Sequence, residues 1–273
     1  MGLPLDKPHH SSNHEYRRQT SDGMSAMQQK GMLDEFRAIT LELVTELRKE
    51  KLADYCECID GLNGSQSKLL VSPEAMNRKE VLLIVSGIPE EAGVWSYTLL
   101  QHGRRNDSSM RPYFEMAREV NWGLVALNPH GRGIEGGRPE YHRQLGIVLR
   151  LLYRDMPTRT VVVLCFSAGG SVLFEFLNNH SDLAERISGV LLIDTTPPPF
   201  GKRMLTNEVQ RLLSRTVLYG LEDDQNGFSA WATATASVLG LRPKPIRAAL
   251  HGELPNLLVD EVASYLRGVA SAP

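Results

Sequence analysis

Val161–Phe174 reads VVVLCFSAGGSVLF, and the interpretation of this stretch decides the fold. It opens on four aliphatic residues, Val161 to Leu164, the short apolar run of a fully buried strand. With no polar loop between, it passes into Ser167-Ala168-Gly169-Gly170 and then into apolar positions at helical spacing, Val172, Leu173, Phe176 and Leu177. Strand, tight turn, helix is the implied path. A serine at such a turn is lifted out of the sheet with its hydroxyl exposed, and its neighbours must be small because the two backbones approach closely. Cys165 lies two residues before Ser167 and Gly169 two after, so the stretch fits G-x-S-x-G with its first Gly relaxed to Cys. By itself this motif is also compatible with an ordinary strand-to-helix turn, so the rest of the chain has to decide.

Outward from this stretch the chain alternates strands and helices. Upstream, Val81–Val85 and Leu124–Leu127 are continuous apolar runs, and Tyr141–Tyr153 has helical spacing. Downstream, Val190–Asp194 and Thr216–Tyr219 are strand-like. Tyr55–Ile59 and Lys68–Val71 flank turn residues, among them Asn63-Gly64, and are read as a hairpin. Buried strands alternating with helices imply an α/β fold, a mostly parallel sheet with helices on both faces. Leu33, Phe36, Ile39, Leu43 and Leu47 mark an amphipathic helix over 31–52, docked on its own domain or on a protein partner. Residues 1–30 are polar and aperiodic and are read as a disordered tail, with His9, His10 and His14 exposed in it. Residues 53–273 form the main domain.

Composition narrows the function classes. The 273 residues are 42% hydrophobic and 23% charged, with 30 basic against 32 acidic residues and a formal net charge of −2. This balance advertises no direct nucleic-acid partner, and no apolar run is long enough to span a bilayer. Met1-Gly2 starts like a myristoylation signal, but Asp6 stands where Ser or Thr is required. Three cysteines without a framework fit a reducing, intracellular compartment, cytoplasmic or nuclear. With no zinc spacing and no other metal motif, no cofactor and no metal are expected.

With these parts in order, the chain resembles the α/β-hydrolase superfamily. VLLIVSGIPEEAGVW (81–95) looks like its strand-His-Gly-x-Pro segment, with Ser86 in place of the His. Leu124–Gly133 looks like strand-Asp-x-x-Gly-x-Gly, with Asn128 in place of the Asp, and TVLYGLEDD (216–224) looks like the strand and Gly-x-x-Asp turn that carries an acid. The resemblance covers residues 53–270 and implies acyl transfer by a Ser, acid, His triad in that chain order. Ser167 is then the nucleophile and Asp223 the acid. Asp224 and Asp194 are alternative acids, and Glu222 is a weaker one. Ile88 and Ala168 supply oxyanion-hole N–H groups.

His251 is the base, because no other histidine follows the acid. Glu253 stands where the family places Pro, so the segment is ambiguous: a strand over 245–250 delivers His251 to the elbow, and a helix aims it into solvent. His130 and His142 precede the elbow and are read as loop or structural histidines. The short 194–216 connection leaves room for at most one cap helix, within 203–213. Trp95, Phe166 and Phe200 are candidate pocket walls.

A narrower resemblance runs over Arg104–Pro129, which is similar to the hydrolase-like domain of argonaute-binding and silencing-linked proteins. Two functions follow. One is a serine hydrolase acting on a small-molecule ester, thioester or amide. The other is a catalytically silent binding module linked to RNA silencing or chromatin.

Overall fold

The computed structural model describes residues 26–59, 66–87, 91–128, 137–223 and 227–271. The chain divides into two units, Met1–Ile39 and Thr40–Pro273. In the first, the described residues 26–39 are the opening turns of helix α1 (Ala26–Lys49). This helix therefore starts inside the 1–30 span expected to be tail. The second unit holds the end of α1 and everything that follows.

Among the described residues, eight strands make one sheet: β1 (Asp54–Ile59), β2 (Gln66–Val71), β3 (Glu80–Val85), β4 (Gly123–Ala126), β5 (Thr160–Phe166), β6 (Ile187–Ile193), β7 (Thr216–Leu221) and β8 (Pro243–Ile246). Their order is β1-β2-β4-β3-β5-β6-β7-β8. β1 and β2 pair antiparallel, as the hairpin reading expects, and β2 meets β4 antiparallel. From β4 to β8 every pairing is parallel.

The helices between them are α2 (Tyr97–Gln101), α3 (Arg105–Ser108), α4 (Arg111–Glu119), α5 (Gly137–Asp155), α6 (Gly169–Asn179), α7 (Ser181–Arg186), α8 (Asn207–Leu212), α9 (Ala230–Leu239), α10 (Leu254–Leu257) and α11 (Val259–Ala270).

Strand side chains alternate between two apolar layers, because successive residues point to opposite faces. Val81, Leu83, Val163, Cys165, Val190 and Leu192 join α5, α6 and α8 on one face. Leu82, Ile84, Val162, Leu164, Phe166, Leu191 and Ile193 join Val44 and Leu47 of α1, α4 and α11 on the other. All thirteen of those sheet residues are buried, so the central strands have no solvent face and read as unbroken apolar runs.

The expected cap helix takes a different role. α8 falls within the 203–213 span, but Val209 and Leu212 are fully buried in the first apolar layer. The α8 N-cap is joined to α6 by the Thr206 N–H, which donates to Asn178 Oδ1 at 2.9 Å. α8 thus covers a sheet face.

Candidate active site

β5 ends at Phe166, and Ser167 adopts φ 55°, a left-handed conformation that a non-glycine residue rarely takes. Strain of this kind costs about 1–3 kcal/mol and persists only where the surroundings fix it. Here the Ser167 N–H donates to the Ile193 carbonyl at 3.3 Å, and the Ser167 carbonyl accepts from the Thr196 N–H at 3.0 Å.

The small residues after it are sterically required. A Cβ on Gly169 would lie 2.0 Å from the Val85 carbonyl oxygen, and one on Gly170 would lie 2.6 Å from Thr195 Cβ. Cys165 is fully buried in the apolar layer beneath, and that burial pushes its thiol pKa far up, so it stays an inert thiol. Ala168 precedes the first turn of α6, where backbone N–H groups lack intrahelical partners. Ile88 lies outside the described residues, as do Asp224 and His130.

Strand order brings an acid beside the serine. β6 is the neighbour of β5, with Phe166 level with Ile193, so Asp194 emerges level with Ser167. Asp194 also has positive φ, 42°, and is 2% exposed. Its Oδ2 lies 2.7 Å from His251 Nδ1. Its Oδ1 accepts the Ser229 hydroxyl and, at 3.4 Å, the Leu221 N–H.

Asp223, expected from the Gly-x-x-Asp resemblance, is not the histidine's hydrogen-bond partner in this arrangement. It lies past the end of β7, one strand farther from β5, and its carbonyl accepts the Gly227 N–H at 2.8 Å. The carboxylate on His251 is that of Asp194, which the sequence offered as an alternative. Glu222 instead pairs with Arg247 at 2.5 Å.

His251 reaches the site from a loop after the edge strand β8, opening a single 3₁₀ turn, His251–Glu253. Its ring stacks on Phe166, with centroids 4.5 Å apart and planes at 21°. Trp231 of α9 meets it edge-on at 4.9 Å. With Nδ1 on Asp194, the buried Nε2 has no hydrogen-bond partner among the described residues. Phe166 immediately precedes Ser167, so stacking sets the imidazole beside the elbow.

Of the proposed walls, Phe166 touches the histidine. Trp95 is fully buried and packs edge-on against Tyr113 and Phe166 at 5.0 and 5.9 Å. Phe200 is partly buried against the opposite apolar layer. Trp231 was missed by sequence reasoning, since only tertiary folding brings α9 to this histidine.

The departures from the superfamily pattern have structural explanations. Asn128 Oδ1 accepts the Ala92 N–H at 3.2 Å, while its backbone N–H and carbonyl bond the Gln144 side chain at 2.9 and 3.0 Å. It ties the segment after β3 to α5. Ser86 is buried with an unpartnered hydroxyl, and Tyr141 Oη lies 2.7 Å from the Gly87 carbonyl beside it. Glu253, in place of the expected Pro, accepts the Ala249 and Leu250 N–H groups at 2.8 and 2.9 Å and also binds Arg104.

Among the described residues, no group of three or more His, Cys, Asp or Glu side chains is placed to hold a metal ion. No described helix is long and apolar enough to cross a membrane.

No family model matches the chain, and no curated protein matches it. Solved structures do. A serine hydrolase without a lid from Xanthomonas campestris aligns with TM-score 0.51 and 14% identity, over 81% of this chain and 97% of its own. A predicted CIB-like hydrolase from Thermoplasma acidophilum aligns with TM-score 0.50 and 16% identity, over 79% and 99%. A thermophilic esterase from Thermogutta terrifontis aligns with TM-score 0.50 and 14% identity, over 80% and 99%. At these identities the likeness establishes the fold: this chain has the α/β-hydrolase fold. The silencing-linked resemblance finds no support among them.

Proposed function

We propose that the protein is a serine hydrolase that cleaves small ester, thioester or amide substrates through an acyl-enzyme, with Ser167 as nucleophile, His251 as base and Asp194 as acid. The observation that carries this reading is the His251 pair. One ring nitrogen is held by a buried carboxylate at 2.7 Å, and the other is buried and unpartnered on a ring stacked against Phe166, the residue before Ser167.

Asp194 fixes the tautomer with the proton on Nδ1, leaving Nε2 with the lone pair that a general base needs. Ser167 Oγ adds to the acyl carbonyl as its proton passes to Nε2. The resulting oxyanion is met by the Ala168 N–H and, by resemblance, the Ile88 N–H. Collapse breaks the bond to the leaving group, which departs with the proton from Nε2. Water then repeats the sequence on the acyl-enzyme, releasing the acid and restoring Ser167. The positive charge that forms on the ring is stabilised by Asp194, whose other oxygen is already occupied by Ser229 and Leu221.

The test is covalent labelling by a fluorophosphonate probe together with turnover of p-nitrophenyl acetate. Wild type should label and turn over, and Ser167→Ala should do neither. Labelling that survives in Ser167→Ala, or a folded wild type that neither labels nor turns over, would sink the reading.

A further inference from the structure

We infer that Glu253 and Arg104 form a latch that positions His251 on Asp194, so that Glu253 is a positioning residue for the proposed base; the inference rests on the hydrolase reading for its kinetic consequence.

The loop that carries His251 leaves the sheet at Ile246, the end of β8, and gains no further strand pairing. What holds it comes from side chains. One Glu253 oxygen, Oε2, accepts two consecutive N–H groups, Ala249 at 2.8 Å and Leu250 at 2.9 Å. These are the two residues immediately before His251, so this carboxylate sets the direction in which the chain enters the histidine.

The other oxygen, Oε1, takes Arg104 Nη1, and Arg104 Nε binds Asp107 Oδ2 at 2.8 Å. Charge-assisted bonds of this type are shorter and about twice as strong as neutral ones. Glu253 keeps 13% of its side chain exposed against 37% for Arg104, so the carboxylate end is the better shielded. Burial alone would raise the Glu253 carboxyl pKa. The Leu250 N–H, the Arg104 guanidinium and the Ala249 N–H together hold it below the usual carboxylate range.

The same platform grips the loop on the far side of the latch. Asn256 Nδ2 donates to the Asp107 and Ser109 carbonyls at 2.8 and 3.1 Å, and Tyr113 Oη donates to the Pro255 carbonyl at 2.7 Å. Between them, Gly252 lies flat on Ser96, where an added Cβ would come within 2.6 Å of Ser96 Cβ. Residues 96–113 thus form a platform for the histidine loop. Among these contacts between platform and loop, the Glu253–Arg104 pair is the one that acts through charge.

The experiment compares Glu253→Ala, Glu253→Gln, Arg104→Met and Arg104→Lys with wild type. It uses p-nitrophenyl acetate kinetics and the low-field proton NMR signal of a histidine Nδ1–H bonded to a carboxylate. A misplacement of about 1 Å costs up to roughly a hundredfold in rate, so Glu253→Ala should lower kcat by about 10–100-fold with KM moved by less than about threefold. Its Nδ1–H signal should broaden or vanish while the methyl spectrum stays native. Arg104→Met should show a smaller loss of the same kind, Glu253→Gln an intermediate one, and Arg104→Lys should recover most of the rate.

Wild-type kcat and an intact Nδ1–H signal in Glu253→Ala would overturn the latch. If Glu253→Ala does not fold, Arg104→Met and Glu253→Gln decide by the same two measurements. If wild type has no hydrolase activity, the NMR signal still decides: its loss in Glu253→Ala supports the latch although the hydrolase reading has failed.

Discussion

Ser167 and Asp194 both follow the last residue of a central strand, and both have positive φ, 55° and 42°. A left-handed residue at a strand end turns the chain sharply and aims its side chain off the sheet edge, which is how two adjacent strands present a hydroxyl and a carboxylate side by side. Asparagine tolerates this backbone region as aspartate does, so Asp194→Asn isolates the charge. We expect it to keep the wild-type melting curve within a few degrees and to lower kcat on p-nitrophenyl acetate by about 10³–10⁴-fold, because the imidazole loses its tautomeric control. Asp223→Asn should stay within about twofold. The opposite ranking would give the acid role to Asp223. The sequence put both aspartates at strand ends and preferred Asp223 on its Gly-x-x-Asp context. The structure sets Asp194 against His251 because β6 lies next to β5, and that strand order is non-local and absent from sequence spacing. The glycines were more legible. Gly169→Ala should lower stability by about 1–3 kcal/mol or more in urea unfolding, since the new methyl group would meet backbone rather than a flexible side chain.

The α5–α6 pair carries a histidine that the proposed mechanism does not use. His142 on α5 lies 3.8 Å from Glu175 on α6, beside Phe176 and within the fields of Arg138 and His180. Its ring pKa is lowered, first by loss of hydration and then by Arg138 and His180; Glu175 and a backbone bond to Val172 oppose the shift without cancelling it. The sign follows from linkage. The unfolded chain takes up this proton first as pH falls through about 6.5, so the burial of His142 subtracts stability below that value and none above it. His142→Gln should therefore show a smaller drop in urea midpoint between pH 7.5 and 5.5 than wild type, and an equal drop would remove His142 from the acid sensitivity. At this scale most of the fold could be read from the sequence. Apolar runs give β3 to β7, because strands buried on both faces leave no polar alternation to confuse the pattern. β8 was legible only as one alternative for the 245–250 segment, because Pro243 and Pro245 mask a strand that accepts them only at an edge. The His251 loop stayed ambiguous because its shape is set by Glu253 and Arg104, which are 149 residues apart.

In the unit that begins at Thr40, the closing turns of α1 meet the sheet in two ways, and their magnitudes can be compared. Val44 and Leu47 are 1% exposed and enter the second apolar layer, and Leu43 beside them is 4% exposed. Along the rim, Glu42 and Glu46 pair with Arg105 at 2.8 and 2.7 Å, and Glu50 pairs with Arg111. The ionic row is the more conspicuous feature, yet its side chains are about 36–63% exposed. Exposed pairs contribute about 0–1 kcal/mol each, and added salt screens them. Truncating a buried leucine loses its transfer free energy and leaves a cavity, together about 2–5 kcal/mol. The apolar stripe should therefore dominate. Leu47→Ala should lower unfolding free energy by about 2–5 kcal/mol, Glu46→Gln by under about 1 kcal/mol, and 1 M sodium chloride should erase the second difference while leaving the first. Urea unfolding of the three proteins at low and high salt measures both. A larger loss in Glu46→Gln than in Leu47→Ala would mean that these turns are held by charge, with Arg105 joining them to the platform that carries the His251 loop.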